Sequence, residues 1–122
     1  MSQHTPLPTH ILIETTTRCN LRCKQCAHVI GKYDFADMTL ETFAQLRPLF
    51  PHLRQAALYG HGETFLYKHF FEMLAELKRY PASVYVTTNG TLLTEAVAER
   101  LVELGLDKLA VSLDAATPAL FN

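Results

Sequence analysis

Apolar and polar positions along this chain switch between two spacings. Residues 10–15, HILIET, open with a short apolar run flanked by polar side chains, the pattern of a strand covered on both faces in a parallel sheet. Thr39 stands where a helix cap is expected, with Leu40, Phe43 and Leu46 following as an apolar stripe and Pro48 limiting its length. Residues 54–59, RQAALY, predict a second strand. Tyr67, Phe70, Phe71, Leu74 and Leu77 predict a helix over about 67–79, closed by Pro81. Residues 83–88, SVYVTT, are β-branched and aromatic and predict a third strand. Asn89-Gly90 fits a tight hairpin turn, but the segment after it has helical period: Thr94 as cap, Val97, Leu101 and Leu104 as stripe, Gly105 as stop. KLAVSL at 108–113 predicts a fourth strand.

The order is β-α-β-α-β-α-β. Alternation at roughly 25-residue intervals implies parallel strands joined by right-handed helical crossovers, an α/β architecture of (βα) repeats. Thr117-Pro118 again has the form of a cap and first helical position, and the sequence reaches Asn122 within that first turn. The expectation is a segment of a larger barrel-like domain, truncated after the fourth strand. An open barrel leaves sheet edge and apolar surface uncovered, so poor solubility or self-association is expected.

With 122 residues, 48% hydrophobic and 19% charged, the chain can build a core. A net charge of −1 gives no long-range attraction to nucleic acid or anionic lipid, so neither is an expected partner. No apolar stretch approaches the roughly 18–20 residues that span a bilayer. The first residues, MSQHTPLPTH, lack the basic segment and apolar run of a secretion signal. A cytoplasmic setting is expected, in which thiols stay reduced and a cysteine cluster points to metal or catalysis before disulfides.

The stretch TTRCNLRCKQCAH, residues 16–28, holds all three cysteines: Cys19, Cys23 and Cys26, spaced C-x3-C-x2-C. Thiolates are soft ligands for iron-sulfur clusters or zinc. A four-iron cluster normally takes one thiolate per iron, so three thiolates leave one iron open to a substrate or cofactor. The alternatives are zinc, with His28 or His61 as further ligand, and three cysteines clustered by chance; His28 follows Cys26 too closely for usual finger spacings. Ligands of parallel α/β sheets gather at the carboxyl ends of the strands. The unusual residues fall at four such ends: the cysteines; Gly60, Gly62 and Glu63; Thr88, Asn89 and Gly90; and Ser112 and Asp114.

The segment C-N-L-R-C-K-Q-C at 19–26, with G-H-G-E at 60–63, T-N-G at 88–90 and S-L-D at 112–114, resembles the radical S-adenosylmethionine (SAM) enzymes, most closely the SPASM-type branch, whose members often carry an extra cluster domain. The resemblance runs from about residue 10 to 122. It implies an N-terminal extension over 1–9 and the N-terminal portion of a partial TIM barrel over 10–122. It further implies a [4Fe-4S] cluster on Cys19, Cys23 and Cys26, with SAM chelating the fourth iron. Reductive cleavage of SAM would give a 5′-deoxyadenosyl radical that abstracts hydrogen from a substrate, a peptide or a small-molecule cofactor precursor, with a reducing donor such as flavodoxin or ferredoxin.

Position by position, the resemblance gives Gly60, Gly62 and Glu63 to the methionine end of SAM, glycine for close backbone approach and the carboxylate for the ammonium group. Gln25 would lie at the adenine, where the family often has an aromatic residue, and Thr64 stands where proline is common. Asn89 would bond SAM or substrate, or form a turn; Ser112 would contact the ribose or carboxylate of SAM; Asp114 would face substrate or cap the following helix. Arg22 and Lys24 are expected on the solvated side of the loop, Tyr33 and Phe35 in loop packing, and His4, His10, His52 and His69 have no partner legible in the sequence. Two rival readings remain: a non-catalytic iron-sulfur electron carrier, for which four thiolates would be expected, and a zinc-stabilised binding module.

Overall fold

The computed structural model describes residues 5–27, 31 and 34–121, apart from the side chain of Phe121. Eight helices and strands alternate among them: β1 (His10–Ile13), α1 (Leu40–Ala44), β2 (Gln55–Leu58), α2 (Phe70–Leu77), β3 (Ser83–Thr88), α3 (Glu95–Glu103), β4 (Lys108–Val111) and α4 (Pro118–Phe121). Short 3₁₀ turns occupy Arg47–His52 and Thr64–Leu66. The strands form one parallel sheet in the order β1-β2-β3-β4. Consecutive strands as neighbours, each reached through a helix, are one sector of a (βα) barrel.

Local chemistry sets the boundaries. The Thr39 hydroxyl accepts from Thr42 N and starts α1. Thr94 does the same for Val97 N at α3, and Gly105 ends that helix at φ +76°, where a side chain would be strained. Asn89-Gly90 makes no hairpin, since β4 runs parallel to β3; Gly90, at φ +82°, turns the chain towards α3. The helix expected over about 67–79 is shorter, Phe70–Leu77. Tyr67 belongs to the preceding turn, where its hydroxyl donates to Met38 O at 2.6 Å and its ring is buried.

The core lies between the helices and one face of the sheet. Ile13, Leu58 and Val86 occupy one register row and pack with Phe43, Phe50, Phe70, Met73, Leu74 and Leu77. Leu12, Ala57, Tyr85 and Lys108 share the row on the opposite face, which no described element covers. Leu12 is 53% exposed there, so β1 is covered on one face only, contrary to the expectation from its apolar run. Tyr85 packs edge-on against Tyr59 and lies 5.2 Å beneath the Lys108 ammonium. Val102, Val111, Leu113 and Leu120 are also exposed.

Candidate functional site

The cysteine segment is a loop tied at its base. Thr17 N donates to Ala36 O (2.9 Å), Ala36 N to Thr17 Oγ1 (2.8 Å) and Met38 N to Thr15 O (2.8 Å). The buried Thr16 hydroxyl donates to Asp37 Oδ1 at 2.6 Å, and Arg18 Nε lies 3.3 Å from the same oxygen. β1 thereby delivers Cys19, Cys23 and Cys26 to its carboxyl end as free thiols, Cys23 exposed and the other two half-buried. Cys26 N donates to Cys23 O at 2.9 Å, which turns the loop between the last two cysteines. Arg22 is on the exposed side of the loop, as expected. Its guanidinium folds back onto the carbonyls of Cys19 and Leu21 (both 2.8 Å) and lies over the ring of Phe35.

The other three strand ends meet this loop. Glu63 N donates to Arg18 O at 2.8 Å. A Cβ on Gly62 would stand 2.4 Å from Thr16 O and 2.5 Å from Arg18 O, so glycine here is required by the backbone of the cysteine loop. Gly60 is enclosed by a side chain instead, Glu14, whose carboxylate accepts from His61 N at 2.7 Å.

Glu63 is 2% exposed. Its Oε1 accepts from Thr88 Oγ1 (2.6 Å) and Phe65 N (3.2 Å), and its Oε2 from Asn89 N (2.7 Å). This carboxylate therefore joins the end of β2 to the end of β3. Asn89 extends the connection: its Nδ2 donates to Asn20 Oδ1 at 2.9 Å and reaches Cys19 Sγ at 3.9 Å. Ser112 N donates to Thr88 O at 2.8 Å, continuing the ladder one residue past β4, and the Ser112 side chain is at the exposed rim.

Gln25 Nε2 donates to Asp114 Oδ2 at 2.9 Å, joining the cysteine loop to the end of β4. Asp114 is not the cap of α4; the Thr117 hydroxyl accepts from Leu120 N, as its place before Pro118 predicts. Glu63 through its backbone N–H, and Asn89 and Asp114 through their side chains, thus bring the ends of β2, β3 and β4 to the cysteine loop. Glu14 and Thr91 were missed. Glu14 could have been found by extending β1 one residue beyond Ile13, on the face opposite the core. His28 and Tyr33 lie outside the described residues. Of the histidines with no partner legible in the sequence, His69 pairs with Glu72 at 2.8 Å and His10 with Thr9 at 2.9 Å.

A parallel (βα) sector whose strand ends gather three free thiols, two glycine turns and a buried carboxylate defines a cofactor-binding barrel rim. Residues 13–121 match the Radical SAM superfamily, and the chain belongs to that family. It is 33% identical over 108 residues to the tungsten-containing aldehyde ferredoxin oxidoreductase cofactor-modifying protein of Pyrococcus furiosus, covering 86% of this chain and 30% of that one. It is 43% identical over 110 residues to a probable GTP 3′,8-cyclase of Methanocella arvoryzae, covering 84% and 33%. The crystal structure of BtrN in complex with AdoMet and 2-DOIA matches with a TM-score of 0.78 and 26% identity, over 92% of this chain and 48% of that one. The chain spans about a third of the length of the curated relatives it matches.

Radical SAM enzymes use a [4Fe-4S] cluster and SAM, and the donor set fits that group: three free thiols on one loop, none of them in a disulfide. Among the described residues, no three His, Cys, Asp or Glu side chains gather around a point as a single metal ion requires. A [4Fe-4S] cluster takes one thiolate per iron, so its ligand sulfurs surround a four-iron body and do not meet at one ion. No helix is long and apolar enough to cross a membrane among the described residues.

Proposed function

We propose that this chain is the N-terminal portion of the core domain of a radical SAM enzyme, spanning 10–122 with 1–9 as an extension, and that it acts on a small-molecule or cofactor precursor. The convergence of four strand ends on the three-cysteine loop carries this reading. When bound, the cluster and SAM supply reductive cleavage of SAM to methionine and a hydrogen-abstracting 5′-deoxyadenosyl radical.

The chain's own residues hold and orient. Cys19, Cys23 and Cys26 are the ligands, on a loop fixed at its base by Thr15, Thr16 and Thr17. Gly60, Gly62 and Glu63 form the turn assigned to the methionine end of SAM. Its backbone position is set by Glu14 on one side and by the carbonyl of Arg18 on the other. Gln25 and Ser112 flank the adenosine end, and Asp114, held by Gln25, is the rim group nearest the substrate side. The names of the relatives, a cofactor-modifying protein and GTP cyclases, favour a cofactor precursor over a peptide. The SPASM-type branch, a flavodoxin or ferredoxin as electron donor and a cytoplasmic setting belong to the same proposal.

The test is anaerobic cluster reconstitution of the full-length protein, followed by assay of 5′-deoxyadenosine under reducing conditions. Cluster-loaded protein should release it, and alanine at any one of the three cysteines should abolish release. A loaded protein that never cleaves SAM, or one that retains zinc instead of iron, defeats the reading.

A further inference from the structure

Asn89, Asn20 and Thr91 form a closed ring of hydrogen bonds beside Cys19. Asn89 Nδ2 donates to Asn20 Oδ1 (2.9 Å), Asn20 Nδ2 to Thr91 Oγ1 (2.8 Å), and Thr91 Oγ1 to Asn89 Oδ1 (2.7 Å). Thr91 N also donates to Asn89 Oδ1 at 2.9 Å. A backbone N–H can only donate, so this contact fixes which end of the Asn89 amide is oxygen. The NH2 end then faces the cysteine loop. One of its hydrogens goes to Asn20, and the other is left for Cys19 Sγ at 3.9 Å. Glu63 Oε2 holds the Asn89 backbone N–H at 2.7 Å, so main chain and side chain are both clamped.

From this arrangement we infer that Asn89 is a positioning residue that sets the reduction potential of the cluster through an N–H directed at its Cys19 ligand. The inference rests on the functional reading above. Hydrogen bonds to ligand sulfurs are among the determinants of cluster potential, because a donor stabilises the more negative reduced state. The Asn89 amide has both acceptor contacts and one donor contact committed to the ring, so its remaining donor is aimed by geometry and not free to turn towards SAM. A 3.9 Å contact to sulfur is weak, so the expected effect is a several-fold change in the ratio of reduced to oxidised cluster. The ring also gives Asn20 and Thr91 a role at the rim.

The experiment is a redox titration of the reconstituted full-length protein without SAM, followed by electron paramagnetic resonance. Iron and sulfide content are measured on every variant. Asn89→Ala should lower the reduced-to-oxidised ratio at a fixed potential roughly three- to tenfold. Asn89→Asp keeps the acceptor for Thr91 but puts negative charge where the donor stood, and should lower the ratio further. Thr91→Val leaves the Thr91 backbone N–H in place, so it loosens the ring without removing the donor and should give a smaller shift; it also keeps the test decisive if the Asn89 variants load cluster poorly. Unchanged ratios in Asn89→Ala or Asn89→Asp at full cluster content overturn the inference. So does a variant whose only defect is weaker SAM binding, which would make Asn89 a SAM contact. Wild-type protein that takes up no cluster overturns the functional reading, and the inference with it.

Discussion

Glu63 and Thr88 are 25 residues apart in sequence, yet the buried Glu63 carboxylate accepts the Thr88 hydroxyl hydrogen at 2.6 Å. Among the described residues no cationic side chain pairs with this carboxylate; three neutral donors from β3, its following turn and residue 65 satisfy it. Such a group is held by geometry, and it is intolerant of a donor placed among donors.

Glu63→Gln should therefore be destabilising. Gln has one acceptor oxygen, so its NH2 must face either the Asn89 N–H or the Thr88 and Phe65 donors. One part-buried backbone donor, Asn89 N or Phe65 N, then loses its partner, at about 1 kcal/mol. Chemical denaturation of the full-length apoprotein should show a loss of that size, and SAM affinity should fall in parallel. A variant as stable as wild type would show that the carboxylate is not braced in this way.

The two glycines of the 60–63 turn should respond differently to alanine. At Gly62 the added carbon meets backbone, Thr16 O at 2.4 Å and Arg18 O at 2.5 Å, so the cysteine loop itself must move. Gly62→Ala should prevent stable cluster incorporation, measured as iron per protein after reconstitution. At Gly60 the carbon meets only the Glu14 side chain, 2.1 Å from Oε2, which can swing away at the cost of its bond to His61 N. Gly60→Ala should retain cluster and lose about 1 kcal/mol of stability. Combining it with Glu14→Ala should add little to the single effects, since both remove the same interaction.

The periodic parts of this fold were legible because each element carries its own pattern. β3 runs over Ser83–Thr88 as expected, and Thr39, Thr94 and Gly105 terminate helices as their side chains or its absence dictate. The start of α2 was not legible, because Tyr67 has helical spacing to Phe70 and Leu74 but is buried through a turn. The exposure of Leu12 was missed for a related reason: an apolar run cannot say whether the second face has a cover. At the site, residue identity located the rim, but pairings could not be read. Glu63 with Thr88, Gln25 with Asp114 and Asn89 with Asn20 join different strand ends, and only the packed sheet fixes those distances.

The Asp107 carboxyl supports the fold away from the rim and has a defined pH signature. Burial alone would raise its pKa, but hydrogen bonds from Lys78 Nζ and Val84 N, both 2.7 Å, together with the Lys78 charge, hold it below the usual carboxylate range. A depressed folded-state pKa contributes stability above the unfolded-state value of about 3.9 and loses it as pH falls through the lower folded value. The side chain is 39% exposed, so solvent screening keeps the contribution below about 1 kcal/mol. The stability difference between wild type and Asp107→Asn should be constant near neutrality and shrink below about pH 4. A difference that grows on acidification would contradict the sign.

The pair of Gln25 and Asp114 closes the rim between the first and last strand ends, and its polarity can be inverted. Gln25→Glu sets two carboxylates against each other where an N–H donor stood at 2.9 Å from oxygen, so the cysteine loop should separate from the end of β4. Hydrogen exchange of the full-length apoprotein should then quicken at the amides of residues 20–27, more than in Gln25→Ala, which loses a hydrogen bond without gaining repulsion. Adding Asp114→Asn to Gln25→Glu restores one donor and one acceptor with the direction reversed, and should return exchange towards the wild-type rate. Rates that follow neither the repulsion nor its relief would mean that the loop is held by its base alone, through Thr15, Thr16 and Thr17, and that the contact at the rim follows the loop's position without setting it.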